Sequence, residues 1–237
     1  MKNNPLTEKA HLDHLVVGAA SLDEGVRWCE NTLGITPAPG GAHALFGTHN
    51  RLVRLKSAAH PLAYLEIIAI DPSVRPTRDS PLRRWFDLDL PAVHQQLLQT
   101  GPRLLHWVAS VPDMTSCMTN LYAMHIDRGR VIDASRPTPR GLLRWKITVR
   151  DDGQRLFGGA LPTLIEWGSE HPALSMAESV ITLRSLTLQH PQATQLQSAL
   201  AAIGLDALPV TTGPPGLSAA LTLADGSTLR LSHTETA

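Results

Sequence analysis

His11–Gly34 reads HLDHLVVGAASLDEGVRWCENTLG, and within it the hydrophobic pattern changes from that of a strand to that of a helix. HLDHLVVG is a short apolar run of strand length. The helix opens at a capping box: the Ser21 side chain can take a backbone N–H one turn on while Glu24 reaches back. Leu22, Val26, Cys29 and Leu33 recur on one helical face, and Gly34 followed by Pro37 stops it. After a glycine-rich turn, HALF (43–46), RLVRLK (51–56) and YLEIIAI (64–70) are three further segments of strand length. Residues 11–70 are therefore a β-α-β-β-β unit, which predicts an α+β fold.

The same grammar returns twice. Residues 71–102 interrupt it with Pro72, Pro76, Pro81 and Pro91, which suit loops and short helices such as SPLRRWFDLD (80–89) and PAVHQQLLQ (91–99). A second unit spans 103–180: the strand LLHWVASV (104–111), a helix capped by Asp113 with Met114, Met118 and Leu121 inward, and strands near GRVIDA, LLRWKITVR and LPTLIEWG. A fainter third copy spans 181–233. It has TLRSLTLQH (182–190), a helix over about 191–203 stopped by Gly204, then LPVT, LSAALTLA and STLRLS.

Composition narrows the function classes. At 237 residues, 43% hydrophobic and 18% charged, the chain can bury a substantial core and is not of disordered type. Lys plus Arg and Asp plus Glu balance at 21 each, so no field favours nucleic acid or a membrane surface, and neither is expected as a partner. The first residues lack the apolar run of a secretory signal and no stretch is long enough to span a bilayer, so a cytoplasmic protein is predicted. Cys29 and Cys117 fall in predicted helices without a CxxC pair and read as buried free thiols. The Gly pairs at Gly40 and Gly158 lack P-loop spacing, and there is no G-x-S-x-G elbow or HExxH helix.

Four residues sit where an apolar side chain would be easier to bury. His14 lies in LDHLVV and Glu66 in YLEIIAI; His106 lies in LLHWVASV and Glu166 in LPTLIEWG, at similar separations. A carboxylate among Leu65, Ile67, Ile68 and Ile70 costs several kcal/mol, on the order given for a poorly compensated buried ion. A divalent cation would neutralise it, and imidazole plus carboxylate suits Zn, Ni, Mn, Co or Fe. Taken singly, a strand His reads as a hydrogen-bonded core residue and a strand Glu as paired or solvated; the repetition is what favours metal. The third copy carries Ser185 and Arg230 near the corresponding places, so it repeats the fold without the chemistry.

LDHLVVGAASLDEGVRWCENTLGITPAPGGAHALFGTHNRL, YLEIIAIDP and LPTLIEWGSEHPA resemble the glyoxalase-like domain proteins of the vicinal oxygen chelate superfamily, over about residues 11–190. GGAHALFGTHN (40–50) is the most specific stretch. The resemblance implies paired βαβββ modules curled into a cup-shaped sheet, with a third βαβββ-like module at the C-terminus. It implies one metal ligand from the first and one from the last strand of each module: His14, Glu66, His106 and Glu166. It further implies a metal-dependent lyase or isomerase that stabilises an enolate of a small oxygenated substrate, with Glu66 or Glu166 moving the proton. A non-catalytic sequestering protein and an extradiol-type dioxygenase are the alternatives within that superfamily. His43, His49 and Asn50 are placed at the cup rim as substrate contacts, against a turn-only reading, and Trp107 and Arg144 are added to them, against core and solvated-face readings. Two modules close one cup and leave the third over, so homodimerisation through 181–233 is expected.

Overall fold

Ser21 does cap a helix, and the strand and helix on either side of it begin a unit that the chain then repeats. A computed structural model describes residues 9–79, 81–138 and 141–234. The first unit comprises β1 (His11–Gly18), α1 (Leu22–Leu33), β2 (Ala38–His43), β3 (Thr48–Arg54) and β4 (Tyr64–Ile70). The Ser21 side chain accepts from the Glu24 N–H, and Gly34 in the left-handed region closes α1. After the linker helix α2 (Pro91–Thr100) come β5 (Arg103–Ser110), α3 (Met114–Ala123), β6 (Arg130–Thr138), β7 (Gly141–Val149) and β8 (Thr163–Trp167).

These two units share one eight-stranded sheet in the order β2-β3-β4-β1-β5-β8-β7-β6. In each unit the first strand runs parallel to the last, and β1 meets β5 antiparallel at the centre. The sheet separates two apolar layers. Leu12, Leu15, Leu65, Ile67, Trp107 and Leu164 pack on one side of it, while Val16, Ile68, Val108, Ile147 and Ile165 line the other, concave side.

One strand differs from the sequence expectation. The stretch HALF is not a strand: Ala44–Gly47 is a turn, and β2 is the preceding APGGAH. The glycines there serve close approach rather than turning, because a Cβ on Gly40 would lie 2.0 Å from Asn50 Oδ1.

The third segment forms β9 (Thr182–Gln189), α4 (Ala193–Ala202), β10 (Val210–Thr211), β11 (Gly216–Thr222) and β12 (Thr228–Thr234). It keeps the β-α-β-β-β order along the chain but not the pairing of the first two units. Its sheet order is β10-β9-β11-β12, so β9 lies against β11 rather than against the last strand. Leu183, Leu186, Leu196, Leu200 and Leu217 join the same core as Leu12, Leu15 and Trp107. The apolar side of this segment is thus covered within the chain itself. Cys29 and Cys117 are buried free thiols, and burial pushes the Cys29 thiol up to about 12. No helix among the described residues is long and apolar enough to cross a membrane.

A buried polar junction ties the third segment to the cup. Arg155 Nε donates to Asp87 Oδ2 (2.7 Å), and its guanidinium also donates to the Leu105 carbonyl (2.6 Å) and approaches His233 Nε2 at 3.2 Å. Burial, reinforced by the charges of Arg155 and Arg103, pushes His233 down to about 3. A histidine whose folded pKa lies below its unfolded value of about 6.5 contributes stability that is full above pH 6.5 and lost as pH falls toward 3. The denaturant midpoint is therefore expected to fall between pH 7 and pH 5, and to fall less steeply in His233→Phe. Parallel pH slopes for the two proteins would refute this assignment.

Candidate functional site

The site begins at a β-bulge. Leu12 pairs with Ala109 and His14 with Val108, so Asp13 is the extra residue in β1. Strict alternation would send Asp13 and His14 to opposite faces, and the bulge turns both toward the concave side. Asp13 is fully buried and its carboxylate is saturated: Oδ1 accepts from His14 Nδ1 (2.7 Å), and Oδ2 accepts from Trp167 Nε1 (2.7 Å) and His171 Nε2 (3.0 Å). Burial pushes its pKa up, but the interaction with His171 and the hydrogen bonds from both histidines outweigh it and hold the carboxyl well below the usual range. His171 is itself fixed, since its Nδ1 accepts from the Ala173 N–H (3.1 Å).

With Nδ1 committed and its ring stacked on Tyr64 at 4.5 Å, His14 has one free position, Nε2. That atom faces Glu66 Oε2 at 3.6 Å, too far for a direct hydrogen bond. Glu66 projects from β4 on the same face as Tyr64 and Ile68. Its other oxygen, Oε1, accepts from Asn50 Nδ2 (2.5 Å), and Asn50 Oδ1 in turn accepts from the Gly41 N–H (2.7 Å). His43 lies beside this chain, with Nε2 3.5 Å from Asn50 Nδ2 and Nδ1 3.1 Å from Thr48 Oγ1. Burial pushes His43 down to about 4 despite the pull of Glu66. The Tyr64 phenol is pushed well above its ordinary value by burial and by the Asp13 and Glu66 carboxylates. Trp85, Phe86, Arg136, Trp145, Ile147, Ile165 and Trp167 complete the wall, and the space left inside is about 40 Å³.

The second unit repeats this architecture with different side chains. Val16 pairs with His106 and Val17 with Leu104, so β5 carries its own bulge at Leu105, immediately before His106. Leu105 thus occupies the place that Asp13 holds before His14. Two residues after His14, Val16 pairs with Glu66; two residues after His106, Val108 pairs with Thr163. The structural counterpart of Glu66 is therefore Thr163. His106 has no free nitrogen: Nδ1 bonds the Gly159 carbonyl (3.1 Å) and Nε2 accepts from the Thr163 N–H (3.1 Å). Arg128, fully buried, donates to the Pro162 carbonyl and to Thr163 Oγ1. Burial and the charges of Arg128 and Arg155 push His106 well below its ordinary pKa.

The remaining residues singled out from the sequence are dispersed. Glu166 alternates with Ile165 and Trp167 on β8 and so points away from the cup. Its carboxylate accepts from the Met114 N–H at the start of α3 (2.7 Å) and from Lys146 Nζ (2.7 Å). Arg144 is exposed in the open groove of about 240 Å³ on that outer side. Trp107 packs in the core opposite His106 and donates from Nε1 to the Ala160 carbonyl (3.0 Å). His49 lies on the opposite face of β3 from Asn50, 3.7 Å from Asp71, and lines a cavity of about 340 Å³ beside α1. That cavity is larger than the cup but lacks its converging buried charges. His14, His43, Asn50 and Glu66 come together; His49, Trp107, Arg144 and Glu166 do not join them.

The expected divalent metal with four protein ligands does not fit this arrangement. His14 Nε2 and Glu66 Oε2 are available, whereas both nitrogens of His106 are spent on the main chain and Glu166 faces outward. No group of three or more His, Cys, Asp or Glu side chains among the described residues is arranged to hold a metal ion. Sequence reasoning also passed over Asp13, Tyr64, Arg136, Trp167 and His171. For Arg136 a signal was present, because Ile132, Ala134 and Arg136 alternate along β6.

The glyoxalase-like domain family matches residues 12–204 of the chain. A hypothetical protein from Staphylococcus aureus shares the fold, at 13% identity and a TM-score of 0.58 over 93% of this chain and 84% of its own. Methylmalonyl-CoA epimerases also match at 17% identity. A variant of the Streptomyces coelicolor enzyme, in complex with 2-nitronate-propionyl-CoA, covers 67% of this chain and 98% of its own at a TM-score of 0.41. The Mycobacterium tuberculosis enzyme covers 75% and 97% at 0.38. No curated protein matches the chain.

Proposed function

The chain belongs to the glyoxalase-like domain family, and from that premise we propose that it is an isomerase or lyase in which Glu66 moves a proton on a small carbonyl substrate held in the cup. One observation supports this most directly: Glu66 Oε2 and His14 Nε2 face each other across 3.6 Å while every other polar atom of the pair is held. Such a gap admits a reacting group between a base and an imidazole whose tautomer is set from behind.

In the proposed step, Glu66 Oε2 takes a proton from the carbon beside the substrate carbonyl. The C–H electron pair becomes the C=C bond of an enolate, and the carbonyl π pair moves onto oxygen. His14, backed by the Asp13 carboxylate, hydrogen-bonds the developing oxyanion in its protonated form. Return of the proton to the neighbouring carbon completes an isomerisation; expulsion of a leaving group completes an elimination. Asn50 orients Glu66, and the aromatic wall excludes water. A space of about 40 Å³ restricts the reacting part to a few heavy atoms, since one water needs roughly 10–15 Å³ by the same measure. No step passes through a metal, because the chain offers His14 and Glu66 without a third or fourth donor.

The test is proton exchange in D₂O, followed by NMR on pyruvate, 2-oxobutanoate, hydroxyacetone and methylglyoxal. Exchange faster than in buffer for at least one probe, unchanged after dialysis against a chelator, is expected. Exchange at the buffer rate across the whole panel would overturn the reading. So would activity lost on chelation and restored by zinc or manganese, which would return the chemistry to a metal.

A further inference from the structure

Arg136 projects from β6, one edge of the eight-stranded sheet, on the same face as Ile132 and Ala134. Its guanidinium crosses the open side of the cup toward β2, the other edge. A Cβ on Gly41 would lie 2.0 Å from Arg136 Nη1, so the glycine makes room for this crossing. The residue is half-buried and shares the cup lining with His14, Asn50 and Glu66. Its charge is felt by His43 and Tyr64, the two groups beside Glu66 and Asp13.

Other enclosed arginines have partners: Arg84 and Arg155 pair with carboxylates, and Arg54 and Arg128 donate to carbonyls. Arg136 makes no hydrogen bond or ion pair with any described residue. A guanidinium kept partly out of water without a counter-charge is costly unless an anion arrives. Its planar fork matches two coplanar oxygens.

We propose that Arg136 binds the carboxylate of the substrate, and that the cup is therefore selective for short monocarboxylic acids bearing a neighbouring carbonyl. This rests on the proton-transfer reading for the carbonyl, while the carboxylate site stands on Arg136 and Gly41. Charge favours a monoanion over phosphate. Asp13 is saturated by three donors, and Glu66 would face a second negative charge on a dianion without a second cation to offset it. Size agrees, since the cup admits only a short chain.

Trp85, Trp145 and Trp167 line the cup, so intrinsic fluorescence reports its occupation. Pyruvate, its neutral isostere pyruvamide and inorganic phosphate would be titrated into wild type, Arg136→Gln, Arg136→Lys and Glu66→Gln. Saturable quenching by pyruvate is expected, at least about tenfold tighter than by pyruvamide or phosphate, as for loss of one charge-assisted hydrogen bond. Arg136→Gln should weaken pyruvate at least tenfold and erase its advantage over pyruvamide, with Arg136→Lys in between. Equal affinity of wild type and Arg136→Gln for pyruvate would overturn the proposal. Phosphate binding more tightly than pyruvate, or no saturable signal from any monocarboxylate of two to five carbons, would do the same. Glu66→Gln should still bind pyruvate. Arg136-dependent pyruvate binding without proton exchange in wild type would sink the proton-transfer reading and leave the carboxylate site standing. Thermal melting of each variant controls for folding.

Discussion

Glu66→Gln is expected to lower the rate of proton exchange by about 10²–10⁴, the range associated with loss of a positioned general base. The substitution is nearly isosteric. A glutamine can still accept from Asn50 Nδ2 through its amide oxygen, and its Nε2 then faces the His14 nitrogen across the existing gap. What disappears is the basic oxygen. Because the change removes a buried negative charge without opening a cavity, the melting temperature should hold or rise, separating a chemical defect from a folding one. Exchange in Glu66→Gln within about threefold of wild type would place the base elsewhere. Glu166→Gln supplies the contrast. It loosens a contact with Lys146 and the start of α3 on the outer face and is expected to cost no more than about 1 kcal/mol of stability, with exchange unchanged.

The contrast between the two glutamates shows where the sequence is legible and where it is not. The repeated units could be read because each rests on local signals: the period change, the Ser21 cap and the Asp113 cap. His14 and Glu66 could be read because a charged residue inside an apolar strand is conspicuous. The place of Glu166 could not be read, because it depends on the register of β8 against β5, and no local signal reports which residue lies opposite Val108. That register selects Thr163, whose hydroxyl looks unremarkable in sequence. Arg136 was missed for a related reason. Pro137 reads as the end of a strand, whereas β6 is an edge strand in which proline is tolerated, so the alternation continues past Ala134. Pairing in the third segment likewise departs from the repeat although its chain order does not, since hydrophobic period fixes elements and not their neighbours.

Asp13 was hidden by the bulge, and its replacement carries the other large expectation. Three N–H groups point at its carboxylate. Trp167 can only donate, and His171 must donate from Nε2 because its Nδ1 accepts from Ala173. In Asp13→Asn the single amide oxygen is therefore drawn to the position shared by Trp167 and His171, and the amide nitrogen is left facing His14 Nδ1. His14 must then accept there and carry its proton on Nε2, pointing it at Glu66. The side chains remain packed but the tautomer is inverted, an error worth about 10⁴ in rate where a catalytic histidine loses its orienting carboxylate. Asp13→Asn is accordingly expected to lose at least about 10² in exchange while melting within a few degrees of wild type. Asp13→Ala instead orphans three buried donors, each costing about 1–3 kcal/mol, and a chain of this length shifts by roughly 2–4 °C per kcal/mol. A fall of about 10 °C or more is expected. Nitrogen-15 shifts of the His14 ring distinguish the tautomers directly. If they show the Nδ1–H form persisting in Asp13→Asn with full exchange activity, the orienting role of Asp13 is wrong, whatever the stability of the alanine variant.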